Sequence, residues 1–185
     1  MLNEMSRYQE WVKKKKKIRY VVIGIILICI SVGFWFILPS PLFEDPTSTI
    51  VFDQNGELIG ARIADDGQWR FPVSDSIPDK YKKAVITFED RYFYYHPGFN
   101  PVSMARALWQ NIKEGEIVSG GSTISMQLIR LSRKGKARTL KEKLIELLLA
   151  VRLELKYSKE DILNLYAGNA PFGGNVVGLE SASWR

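Results

Sequence analysis

The sequence of 185 residues predicts a mainly α-helical domain, preceded by a transmembrane helix and a small β-hairpin element. Three observations carry this prediction. Five consecutive lysines, Lys13 to Lys17, precede a run without charge from Tyr20 to Phe43. Runs with strand character around a turn dipeptide fall between residues 49 and 77. From Pro78 onward, helix caps, first-turn prolines and stop glycines recur at helical spacing.

Residues 1–19 read as a basic cytoplasmic tail and residues 20–38 as a transmembrane anchor. Nineteen residues make about 28 Å of helix, against a hydrocarbon core of about 30 Å. A cleaved signal has a shorter apolar region and a small-x-small site. Here the run ends in Trp35, Phe36 and Pro39, so an uncleaved anchor is expected. The lysines predict a cytoplasmic N-terminus, with everything after about residue 44 on the outer face. Residues 1–43 hold seven basic and two acidic side chains, and the remainder 19 and 18. The net charge of +6 thus belongs mostly to the anchor and gives no argument for nucleic acid. Cys29 is the single cysteine and lies within the apolar run, so no intramolecular disulfide forms.

Pro39, Pro41 and Pro46 mark residues 39–48 as a linker. In STIVFDQNGELIGARI two strand-like runs flank Asn55-Gly56, a hairpin signal, and QWRFPV (68–73) adds another short strand to a β element over residues 49–77. Residues 78–185 are expected to be essentially all helical. One helix opens at Pro78-Asp79 and is expected to run to His96-Pro97-Gly98. Asn100 caps a second with Pro101 in its first turn, which continues to about Lys113 and stops at Gly115. Ser122 or Thr123 caps a third to about Ser132. Thr139 to Tyr157 forms the longest, and Ser158 with Asp161 matches a capping box that opens the last, which ends near Gly168.

The densest block of chemistry is EDRYFYYHPG (89–98): two adjacent carboxylates, four aromatics and the single histidine. On a continuous helix Tyr81, Ala84, Val85, Phe88, Tyr92 and Tyr95 would form one apolar stripe. Glu89 falls at its edge between Ile86 and Phe93, and Asp90 points to the other side. A glutamate at the rim of an aromatic core is a candidate general base. The plainer reading is a solvated Glu-Asp pair and a histidine that caps or packs.

GGSTISMQL (120–128) sets glycines and then hydroxyls at a helix N-terminus, which suits an anion but is also ordinary capping. RLSRKGKARTLKEK (130–143) carries seven basic groups and one acid, either a solvated segment or a holder of phosphate or anionic lipid. In the long helix Leu140, Leu144, Leu147, Leu148, Val151 and Leu155 form the expected core stripe. Because Ile145, Leu149 and Leu153 occupy the other side, Glu146 is expected to be partly buried, with a role in the site or an ion pair to Lys143. NAPFGGNVVG (169–178) reads as a Pro/Gly-rich loop with an exposed Phe172.

Taken in order, EDRYFYYHPG, GGSTISMQL, KEKLIE and ILNLYAGNAPFGG resemble the motifs of the peptidoglycan glycosyltransferase domain of class A penicillin-binding proteins and monofunctional glycosyltransferases. DGQWRFPV, GGSTISMQ and APFGGN look most like the 1C type. The resemblance covers about residues 46–185 and implies a lysozyme-like fold and an inverting glycosyl transfer at a bacterial cytoplasmic membrane, on its outer, periplasmic face. It places the catalytic base on Glu89 and the second essential acid on Glu146. It makes Gly121, Ser122, Thr123, Gln127, Arg130 and Lys143 contacts to substrate, with Asp90 and His96 supporting the acceptor side. It further implies lipid II and a growing glycan chain as substrates, the bilayer and cell-wall synthesis proteins as partners, and a divalent ion, magnesium or manganese, near Glu146.

The sequence departs from the pattern in three places. Glu142 stands where the third motif begins with arginine, and Tyr166, Ala167 and Gly168 replace Tyr-Leu-Asn. The family's fifth motif and a transpeptidase motif are not among these residues, so the helical lobe reads as incomplete, and weak turnover is expected of the 185-residue form. A lysozyme-like glycosidase and an inactive membrane-anchored module are the competing readings.

Overall fold

A computed structural model describes residues 2–134, 136 and 139–185, with side chains described beyond residues 2–10 and 12. Met1 of the basic tail and Gly135, Ala137 and Arg138 of the basic stretch lie outside the described residues. The chain divides into two units, Met1–Pro39 and Ser40–Arg185. The first is helix α1 (Leu2–Phe36). Within it Lys13–Phe36 is long and apolar enough to cross a membrane, with a mean hydropathy of 2.2.

The second unit is mainly helical. Strands β1 (Thr49–Phe52) and β2 (Leu58–Arg62) pair antiparallel, as the Asn55-Gly56 turn requires. Asp53 organises that turn by accepting the backbone N–H groups of Asn55 and Glu57, each at 2.8 Å. Strand β3 (Trp69–Arg70) does not join this hairpin. It pairs in parallel with β5 (Val176–Val177), which is itself antiparallel to β4 (Pro171–Gly173). The expectation of an all-helical segment beyond residue 78 is thus corrected. The residues read as a plain loop supply two short strands, because the Trp69 N–H donates to Asn175 O at 2.7 Å and the Gly178 N–H to Ala170 O at 2.9 Å. Helix α7 (Leu179–Trp184) follows, and its Trp184 ring lies 5.6 Å from that of Trp69 and 5.7 Å from that of Phe71.

Helix α2 (Asp79–Glu89) ends seven residues before the expected stop at His96. Asp90 leaves helical geometry at φ −157° and ψ 76°, and a single tight turn at Phe93–Tyr95 follows. The cause is Asp90 itself, whose carboxylate is captured by distant groups described below. The predicted aromatic stripe is therefore broken: Phe88 is 89% and Tyr95 86% exposed, while Phe93 alone goes to the core at 0%.

Helix α3 (Pro101–Glu114) starts where Asn100 Oδ1 accepts the Ser103 N–H at 3.0 Å and stops at Gly115, as expected. Helix α4 (Ile124–Ser132) is capped by Thr123, whose Oγ1 accepts the Met126 N–H at 3.2 Å. It is the centre of the core: Ile124, Met126, Leu128 and Ile129 are fully buried, each side chain worth about 1.5–3 kcal/mol relative to exposure. Against it pack α5 (Leu140–Glu154) and α6 (Lys159–Asn169), the latter opened by the predicted Ser158–Asp161 capping box. The α5 helix turns the opposite face inward from the one predicted. Leu140, Leu144, Leu148 and Leu155 are exposed, and Glu146, Leu149, Ala150, Arg152 and Leu153 are buried. Apolar residues surround this helix, so polar partners decide its rotation.

Gly98 fixes how closely α5 approaches the segment after α2. Its φ of +96° suits glycine, and a Cβ there would lie 2.6 Å from the Ala150 carbonyl oxygen. Gly98→Ala is expected to lower the unfolding free energy by about 2–4 kcal/mol. Urea denaturation followed by tryptophan fluorescence reads this directly, and an unchanged midpoint would show that the contact yields without cost.

Candidate active site

The site is assembled by the end of α2, the turn after it and the N-terminus of α4. Asp90 is buried, and its Oδ2 accepts the Ile124 backbone N–H at 3.1 Å. The same carboxylate meets His96 Nε2 at 2.9 Å. Because the Gly98 N–H donates to His96 Nδ1 at 3.2 Å, the ring proton sits on Nε2 and points to Asp90. Thr123 Oγ1 then donates to Gly98 O at 2.6 Å. Asp90, His96 and Thr123 thus form one satisfied internal lattice. Their hydrogen bonds tie the turn after α2 to the first residues of α4.

Glu89, one residue earlier, is half-buried and faces α4. Its Oε2 accepts Gln127 Nε2 at 2.8 Å, and Gln127 Oε1 in turn accepts Tyr166 OH at 3.2 Å. Gln127, expected to touch substrate, is thus engaged on the glutamate. Burial pushes the Tyr166 phenol up to about 12, and the Glu89 charge adds to the effect. Burial raises Tyr81 for the same two reasons in the same order.

Glu89 stands between two recesses. One is a polar cleft of about 430 Å³ lined by Glu89, Arg91, Arg106, Gly121 and Ser122. The other is an apolar groove of about 290 Å³ lined by Tyr81, Phe88, Tyr166 and Phe172 as well as Glu89. Phe172 is held near Tyr81 with ring centroids 6.4 Å apart. Arg91 follows the Glu-Asp pair directly, whereas nothing in sequence spacing singles out Arg106, which only the packing of α3 brings to the cleft.

Glu146 is 4% exposed. Its partner is Arg130, not Lys143. Nε and Nη2 of Arg130 donate to Oε1 and Oε2 at 2.9 and 2.8 Å, and Nη2 also reaches Ser122 Oγ at 3.2 Å. The bond to Glu146 raises the Arg130 guanidinium further above its ordinary value. Lys143 instead donates to Gly120 O at 2.8 Å, so both cations brace the glycine-serine segment. Glu142, the residue in the arginine position of the third motif, accepts Arg133 Nε at 2.6 Å, and that bond holds its carboxyl below the ordinary range. Gly168, which replaces the amide of the fourth motif, packs where a Cβ would lie 2.7 Å from Val73 Cγ2.

The donors do not fit a resident divalent ion. Arg130 holds both oxygens of Glu146, and among the described residues no group of three or more His, Cys, Asp or Glu side chains could hold a metal.

A half-buried carboxylate between a cationic cleft and an aromatic groove, on a mainly helical scaffold, is the kind of site that serves glycosyl transfer. A family model described as Transglycosylase matches residues 55–185, and the chain belongs to that family, whose fold is lysozyme-like. It is 44% identical over 148 residues to penicillin-binding protein 1C of Escherichia coli (strain K12), covering 79% of this chain and 19% of that protein. It is 36% identical over 163 residues to penicillin-binding protein 1A/1B of Bacillus subtilis (strain 168), covering 88% and 18%. It is 40% identical over 116 residues to the biosynthetic peptidoglycan transglycosylase of Acinetobacter baylyi (strain ATCC 33305 / BD413 / ADP1), covering 63% and 51%. The chain therefore spans about a fifth of the first two relatives and about half of the third.

Removing Arg130 leaves a buried carboxylate unpaired. Arg130→Met is expected to cost about 2–4 kcal/mol of stability, and Arg130→Met with Glu146→Met should recover most of it. Thermal or urea unfolding of both variants checks this, and equal losses in the two would remove the pair from the account.

Proposed function

We propose that the chain carries the glycosyltransferase function of peptidoglycan synthesis, polymerising lipid II into glycan strands. The observation that carries this reading is the placement of Glu89 between a polar, arginine-bearing cleft and an aromatic groove. Glu89 accepts the proton from the acceptor sugar hydroxyl of lipid II. The hydroxyl oxygen attacks the anomeric carbon of the growing chain from the face opposite the leaving group. The bond from that carbon to the diphosphate breaks, undecaprenyl pyrophosphate departs with the electron pair, and the configuration inverts. Arginine and serine groups in the cleft meet the charge that develops on the diphosphate. Tyr81 and Phe172 offer faces on which sugar rings can stack. The N-terminal lysines support a reading with the tail in the cytoplasm and the catalytic unit on the outer face of the cytoplasmic membrane.

Hydrolysis by a lysozyme-like pair of carboxylates is less supported by the geometry. A glycosidase needs two carboxyl groups free to exchange protons or attack, and Glu146 is buried with both oxygens on Arg130. Incubation of the membrane-reconstituted chain with lipid II and, separately, with finished peptidoglycan distinguishes the two. Glycan polymer on gels supports transfer, and soluble muropeptides would replace it with hydrolysis. Glu89→Gln is expected to slow polymerisation by about 10²–10⁴-fold, and retained turnover would refute Glu89 as base.

A further inference from the structure

We propose that Gln127 and Tyr166 are a positioning pair that fixes Glu89 as a proton acceptor by locking the orientation of the Gln127 amide. The inference rests on the reading of Glu89 as base and adds what prepares it. A primary amide has two ends of similar size and opposite polarity, and only the NH₂ end can serve a carboxylate. Here Nε2 donates to Glu89 Oε2 at 2.8 Å while Oε1 accepts Tyr166 OH at 3.2 Å. Turned over, the amide would set its carbonyl oxygen against the carboxylate and lose the tyrosine proton as well.

Tyr166 is the group that makes this turn costly. It is 9% exposed, held by α6 against α4, and its phenol keeps its proton throughout the physiological range. Among the described residues Gln127 makes the single hydrogen bond to the Glu89 carboxylate. Tyr81 of α2 also feels the Glu89 charge, and Asp90, Arg91, Tyr92 and Arg106 line the polar cleft with it. With Oε2 committed to an N–H, the lone pairs of Oε1 are left for the incoming hydroxyl. The three residues come from α2, α4 and α6, so closure of the helical core and readiness of the base become the same event.

Tyr166→Phe keeps the ring packing and removes the proton that orients the amide. With lipid II as substrate, kcat is expected to fall about tenfold while KM stays unchanged. Independently of turnover, selective ¹⁵N labelling of glutamine side chains in the micelle-bound chain, assigned with Gln127→Met, reads the amide itself. The Gln127 amide protons should carry a hydrogen-bonded shift that Tyr166→Phe abolishes. A Tyr166→Phe protein with both the wild-type kcat and the wild-type amide spectrum overturns the proposal, as does a rise in KM at constant kcat with an unaltered spectrum. Glu89→Gln keeps the two readings apart. Full polymerisation by that variant would sink the base assignment, and the amide spectrum would still decide whether Tyr166 orients Gln127.

Discussion

The carboxylate of Asp90 is the interaction on which the rest of the site depends. It is taken out of water, which is costly unless its lone pairs are used. They are used by the His96 ring and by the first N–H of α4, where the helix dipole adds a favourable field. One side chain thus ends α2, anchors the turn after it and docks the N-terminus of the most buried helix. Glu89 owes its position to this arrangement. Glu89 is the last residue of α2, and its carboxylate meets Gln127, 38 residues later in the chain.

Much of the scaffold was legible in the sequence because its signals are local. Asn100 with Pro101, Thr123, Thr139 and the Ser158–Asp161 box satisfy backbone groups within one turn, so each announces its own helix. The apolar run of α1 is legible for the same reason. What the sequence hid depends on partners far away. The stop at Glu89 needs Ile124 and His96, and the strands at 171–177 need Trp69. In the site, the block 89–98 and the ordered motifs pointed to the region, while the contacts inside it depend on packing. Gln127 hydrogen-bonds Glu89, Thr123 and His96 hydrogen-bond the backbone of Gly98, and Arg106 became visible only once α3 had packed.

Helix α5 shows why hydrophobic pattern alone misled. Leucines lie on nearly every side of it, so burying either face would remove a similar apolar area from water. Rotating it by half a turn would expel Glu146 from Arg130 and break the contact between Gly98 and Ala150. A buried ion pair of this kind contributes little net stability, but here it chooses one of two otherwise comparable packings. The residue named by the third motif is therefore the one that sets the face the helix presents to the core. Its outward leucines remain as a consequence of that choice.

The small sheet formed by β3, β5 and β4 has a consequence in time. Asn175 and Gly67 are hydrogen-bonded across 108 residues of chain. At a synthesis rate of about 5–20 residues per second, the strand edge at Trp69–Arg70 waits on the order of 5–20 seconds for its partner. During that interval the helical caps can already form, because each needs only its neighbours. The wall that carries Phe172 cannot, since its strands arrive long after Trp69–Arg70. A nascent chain therefore holds its acid and its arginines before it holds the aromatic groove beside them.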